Sequence, residues 1–173
     1  MASTVDDLYD LLPLLAAECP GVPTGLRRQA LRIAGRQFLR DTEAWRETST
    51  NAGAPTGYTG NPQVLKVLRV TVAGEEISLG AFRYSQVDGL TVDGGGTATT
   101  LCVFLPARES SEYPQFILEQ YGEGIAAAAL AWLKSQLNKP WSDPAGAAVQ
   151  MALSQAVVAK AKGRIARVAT VAQ

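Results

Sequence analysis

The sequence predicts an α+β fold: a four-helix scaffold, with two helices at each end of the chain and an antiparallel β-rich subdomain inserted between them. Three observations predict it. Apolar residues recur at helical spacing over residues 3–46 and again over 111–170. Across 47–107 that spacing disappears, and Thr, Val and Gly rise. The turns in this middle zone are too short for helical crossovers, so its strands must pair antiparallel. The expected divisions are an N-terminal helical pair (1–46), the β-rich insertion (47–110), a C-terminal helical pair completing the bundle (111–163) and a tail (164–173).

Leu8, Leu11, Leu12 and Leu15 form an i, i+3, i+4, i+7 stripe, which predicts a first helix. Ser3 or Thr4 would cap it, with Asp6 and Asp7 in its first turn, where the helix dipole favours negative charge. Pro13 is an irregularity inside it, and Cys19-Pro-Gly-Val-Pro-Thr24 is a turn. A second helix is expected from Pro23 or Thr24 to Trp45, burying Leu31, Ala34, Phe38 and Trp45. On it, Arg28, Arg32, Arg36 and Arg40 recur every four residues. Each such step drifts only about 40° around a helix, so the four make one stripe.

Ser49 to Asn61 reads as a long loop, and Val64 to Val72 as a strand. Ala73-Gly-Glu75 suits a hairpin turn, with Ile77 to Leu79 returning. Leu90 to Asp93 leads into Gly94-Gly-Gly96, and Thr99 to Leu105 is a strand stopped by Pro106. In the third zone Ser110 or Ser111 would cap a helix with Pro114 in its first turn. Leu118, Tyr121, Ile125, Ala128 and Trp132 would mark its packed face. Gly122 and Gly124 each cost a helix about 1 kcal/mol against alanine, which close helix packing would explain. Leu137 to Trp141 is a turn. Ser142 or Asp143 caps a last helix with Pro144 just inside, and Val149, Leu153, Ala156 and Val157 would be its buried side. Phe38, Trp45, Tyr121, Ile125, Trp132 and Trp141 are the expected bundle core.

A chain of 173 residues can bury a core without disulfide or metal staples. Charged residues, at 18%, fall below the usual ~25%, and alanine supplies much of the apolar fraction. Sixteen basic residues balance sixteen acidic ones, so no global positive field draws nucleic acid. Histidine is absent, which removes the commonest general base, metal ligand and pH switch together. Cys19 and Cys102 lie far apart and fit no zinc or disulfide framework; both read as plain small buried residues. The opening residues lack the features of an export signal, and no apolar run reaches the roughly 18 residues of a membrane span.

Few groupings invite chemistry. The Gly94-Gly-Gly96 run leads into a strand without Gly-Lys-Ser/Thr, so it reads as a loop rather than a phosphate cradle. Asp6/Asp7 and Glu75/Glu76 are paired carboxylates with no nucleophile or ligand set beside them. No catalytic residue, metal ligand or cofactor is expected. The arginine stripe admits three readings: a solvated face with local ion pairs, a subunit or partner interface, or contact with DNA phosphates. The first two fit the neutral charge better.

Two stretches carry a likeness. One is Asp7-Leu-Tyr-Asp-Leu-Leu-Pro-Leu-Leu15, Cys19-Pro-Gly-Val-Pro23 and Leu31 to Phe38 through Trp45. The other is Tyr113-Pro114 through Tyr121, Ala126 to Leu133 and Lys139-Pro-Trp-Ser-Asp-Pro144. Together they resemble the head-to-tail adaptor (connector, head-completion) proteins of tailed bacteriophages, over about two-thirds of the chain. The resemblance implies a structural virion protein at the head-tail junction, assembled in the host cytoplasm as a ring of twelve copies beneath the portal. The helices would form the ring wall, the β-part would face the next tail or nozzle protein, and double-stranded DNA would pass through the lumen without sequence readout. The C-terminal segment, with Arg164, Ile165, Arg167, Val168 and Val171, would bind the portal as a tail ordered only on its partner. Arg28, Arg32, Arg36 and Arg40 would lie at a subunit interface or in the lumen. The competing readings are a tail-terminator or stopper protein, and a small soluble α+β ligand-binding domain.

Overall fold

The computed structural model describes residues 4–55, 57–78, 80–85, 89–93 and 95–171, with the backbone alone for 168–171. Ser3, Leu79, Gly94 and the side chains of Val168 and Val171, all named above, lie outside the described residues. Among the described residues the fold is α+β, with four α-helices and antiparallel sheets.

The chain opens on a strand, where the leucine stripe and the Ser/Thr cap predict a helix. Strand β1 (Val5–Asp7) pairs antiparallel with β8 (Glu112–Pro114), Asp6 opposite Tyr113. The Asp7 carboxylate accepts from the Tyr9 N–H at 2.8 Å and so opens a 3-10 turn over Leu8–Leu11. Helix α1 (Leu12–Glu18) starts only then. Pro13 therefore stands at the helix entrance, where its missing N–H leaves no bond unmade, and not in the interior.

Helix α2 (Thr24–Thr42) stops three residues short of Trp45. Glu43 takes a left-handed conformation (φ 53°) and its N–H closes on the Leu39 carbonyl at 2.9 Å. The chain then enters β2 (Arg46–Thr50), in a stretch read as helix end and loop. Trp45 is fully buried there, with Phe104 and Tyr58 rings at 5.9 and 4.9 Å, and its Nε1–H donates to Glu47 at 3.0 Å. It joins the sheet to the helices rather than filling the space between helices.

Strands β3 (Gln63–Val72), β4 (Glu75–Glu76) and β7 (Ala98–Leu105) complete a four-stranded sheet in the order β2-β7-β3-β4. The β3–β4 turn is Ala73-Gly74, both at positive φ (52° and 90°), the signature of a tight two-residue hairpin. The return strand is Glu75–Glu76, earlier than the expected Ile77 to Leu79, although the Ile77 N–H still reaches the Val70 carbonyl at 2.9 Å. A separate hairpin pairs β5 (Phe82–Ser85) with β6 (Gly89–Val92). Gly95 and Gly96 (φ 73° and 106°) turn the chain into β7, a strand and not a helix.

Helix α3 (Gln115–Lys134) follows β8 directly, and Pro114 is its N-cap residue rather than part of its first turn. Ser110, expected to cap, instead accepts from the Glu112 N–H at 3.1 Å. α3 lies at the centre, packed against α4, α2 and α1, and is buried on almost every side. Phe38 of α2 meets Tyr121 of α3 with ring centroids 5.1 Å apart, and Ile125 is fully buried beside them. Trp132 and Trp141 are half-buried at the edge of this core. Helix α4 (Pro144–Val171) is capped by Asp143, whose carboxylate accepts from the Gly146 N–H at 2.9 Å. Both cysteines are buried and free.

The buried side of α4 is not the one its larger residues mark. Val149 and Leu153 are 61% and 53% exposed, Ala156 is exposed, and Val157 is half-buried. The strip against α3 is instead Ala147, Ser154 and Ala161. Small residues there let the two helices approach closely, and Val157 fits against Gly124.

Candidate assembly surface

Among the described residues no group of three or more His, Cys, Asp or Glu could hold a metal ion, and no helix is long and apolar enough to cross a membrane. The distinctive surfaces lie on α2 and α4.

The arginine stripe divides. Arg28 sits over the Tyr9 ring, 5.1 Å from its centroid, where the ring face attracts the cation. Arg32 pairs with Glu109, and Arg36 donates to the Pro106 carbonyl, so two arginines grip the chain where β7 leaves the sheet. Arg40 is exposed and has no ion-pair partner among the described residues. Arg108, a residue not singled out in the sequence, closes a pocket of about 340 Å³ with Arg32, Arg36, Arg40, Gln29 and Ile33. Burial lowers the affinity of Arg36 for its proton, and the charges of Arg40 and Arg108 lower it further. Four guanidiniums thus face one carboxylate, that of Glu109. The pocket is suited to a carboxylate or phosphate, which guanidinium groups bind bidentately.

Beside it, sharing Ile33 and Gln37, runs an apolar groove of about 490 Å³ between α2 and α4, floored by Phe38, Ala128 and Trp132 and walled by Met151 and Val158. Around α4 from the groove, Ala145, Val149, Ala152 and Ala156 share one outward face at alternating steps of four and three, with Leu153 alongside, all exposed. The sequence holds this face, but an alanine-rich helix gives periodicity little to choose between its sides.

The C-terminal residues belong to a helix. α4 runs unbroken through Gly163 and Arg164 to Val171, so the described part of 164–173 is no free tail. Arg164 donates to Gln120 of α3 at 2.6 Å, and Ile165 sits half-buried in a hollow with Phe116, Tyr121 and Ala44. Packing on α3 supplies the partner that the tail lacks in isolation. Arg167 is exposed.

No protein-family model matches the chain, and no curated protein is significantly similar to it.

Proposed function

We propose that this chain is a ring-forming structural protein of a tailed-phage virion, a head-to-tail adaptor that joins the portal to the tail and lets DNA pass through its lumen. In this reading α1–α4 are one scaffold forming the ring wall, and the sheet is an insertion directed at the next tail component. Its place is the neck of the virion, as one of about twelve copies.

One observation carries the reading: the outward face of α4 is apolar over residues 145–156, with Val149 and Leu153 61% and 53% exposed. Contiguous exposed apolar surface marks a contact with another protein. The occupant is a second copy. The face and the groove beside Met151 are unlike surfaces of one chain, and unlike surfaces that fit each other repeat head to tail, closing into a ring where the rotation allows. The end of α4, where Arg167 is exposed, is the segment offered to the portal.

Mixing the purified chain with portal rings and imaging the product tests this. Rings of the chain seated on portals are expected. A monomer that ignores portals at all concentrations overturns it. The groove favours a second reading, a small ligand-binding domain, because its size suits a small apolar molecule. Saturable binding of such a molecule by a stable monomer would support that instead.

A further inference from the structure

The arginine pocket has a counterpart elsewhere on the same chain. Glu75 and Glu76 form the whole of β4, at the edge of the sheet beside the Ala73-Gly74 turn. Both are exposed, and neither makes an ion pair among the described residues. Arg69 lines the same hollow as Glu76 without pairing to it. Successive residues of a strand point to opposite faces, so this tip presents one carboxylate on each side. The tight turn fixes its shape before any contact forms.

Tip and pocket cannot meet within one molecule. The pocket lies where β7 ends, beside Pro106, and Leu105 pairs with Gln63 at the start of β3. The tip follows Val72 at the other end of β3, paired with Ala98. Ten extended residues separate the two, about 30 Å at ~3.3 Å per residue. A neutral chain therefore carries an acidic projection at one end of its sheet and an under-neutralised basic hollow at the other.

We propose that the pocket of Arg32, Arg36, Arg40 and Arg108 is the socket for the Glu75–Glu76 hairpin tip of a second copy of this chain. The contact joins unlike surfaces, so it orients neighbours head to tail and sets their register, while the apolar α4 face supplies contact area. It rests on the ring reading above. DNA phosphate is the rival anion, but a strand-end pair of unpaired carboxylates on the same chain is the complement the structure itself presents.

Charge reversal tests it on the full-length protein, using exposed residues that hold nothing else: Glu75→Lys with Glu76→Lys, and separately Arg40→Glu with Arg108→Glu. Circular dichroism should show both folded, and sedimentation velocity reads assembly. Each reversed protein alone should self-associate roughly tenfold more weakly than wild type at low salt, and an equimolar mixture should regain near-wild-type assembly in alternating order. Wild-type rings together with undiminished assembly of both reversed proteins would refute the socket and leave the ring reading standing. Wild type that stays monomeric at all concentrations, even with portal rings present, would end both. Arginine-reversed protein that assembles normally but no longer binds a duplex DNA fragment would make the pocket a phosphate site and also overturn the proposal.

Discussion

Val157 of α4 occupies the space that a side chain on residue 124 of α3 would need: a Cβ at Gly124 would lie 2.6 Å from the Val157 Cβ. β-Branched valine has little rotamer freedom in a helix with which to yield. Gly124→Ala should therefore lose stability, by about 1–3 kcal/mol, although alanine is the better helix former by about 1 kcal/mol. Gly122 is the internal control. A Cβ there would meet the Leu11 side chain at 3.4 Å, an ordinary contact. Gly122→Ala should be neutral or stabilising by up to about 1 kcal/mol. Urea unfolding of the two variants decides it, and equal effects would mean that the helix pair is not set by this notch.

Tyr113 makes a second prediction. It is fully buried, its hydroxyl lies against Gly35 of α2, and among the described residues that hydroxyl has no hydrogen-bond partner. Burial pushes the phenol far above its usual range, so it stays protonated and carries an unmet donor. Replacing a buried unsatisfied group with an apolar one of the same shape costs little. Tyr113→Phe should shift stability by less than about 1 kcal/mol, and a gain is the expected sign. A loss of several kcal/mol in thermal unfolding would show that the hydroxyl is bonded after all.

The three long helices and the β3–β4 hairpin were legible because each announces itself locally, by periodicity, by Pro144 after Asp143, or by a turn dipeptide. β1 and β8 were not. Each has three residues, too few for alternation to register, and each exists only through pairing with a partner on the far side of the insertion. β2 was hidden because Trp45 continues the apolar spacing of α2, and only the left-handed Glu43 breaks the helix first. The arginine stripe was visible as a stripe, but its pocket needs Arg108 and Glu109, which no helical spacing connects to it. On α4 the larger residues pointed the wrong way. Where two alanine-rich helices meet, the smallest residues face inward, since close approach gains more contact than a bulky side chain held at a distance.

Glu112 should give the fold a defined acid sensitivity. Its carboxylate accepts from the Thr59 hydroxyl and from the Thr59 and Gly60 N–H groups, at 2.8 and 3.0 Å for the latter two, pinning the long loop to β8. The Thr59 hydroxyl bond is the largest cause holding its proton affinity below the usual 4.5, with burial opposing and the two backbone bonds assisting. A folded value below the unfolded one means that ionised Glu112 stabilises the fold. That contribution is complete above about 4.5 and is lost as the pH falls through the lower folded value. Glu112→Gln should therefore be less stable than wild type at pH 7, with the gap closing at acid pH. Parallel stability–pH curves for the two proteins would contradict this.

The exposed face of α4 makes the assembly reading testable without any partner. Val149 and Leu153 touch little of their own chain, being 61% and 53% exposed, so changing them should barely affect folding. Surface substitutions away from special features usually lie within ±0.5 kcal/mol, and Val149→Glu with Leu153→Glu should fall near that range in urea. The same pair places two carboxylates on a surface proposed to be buried in every copy of a ring. Burying unpaired charge is costly enough that the ring should not form. Sedimentation should then show a stable monomer where wild type assembles. Assembly at wild-type strength by the glutamate variant would mean that this face looks outward in the finished particle, and that the copies meet elsewhere.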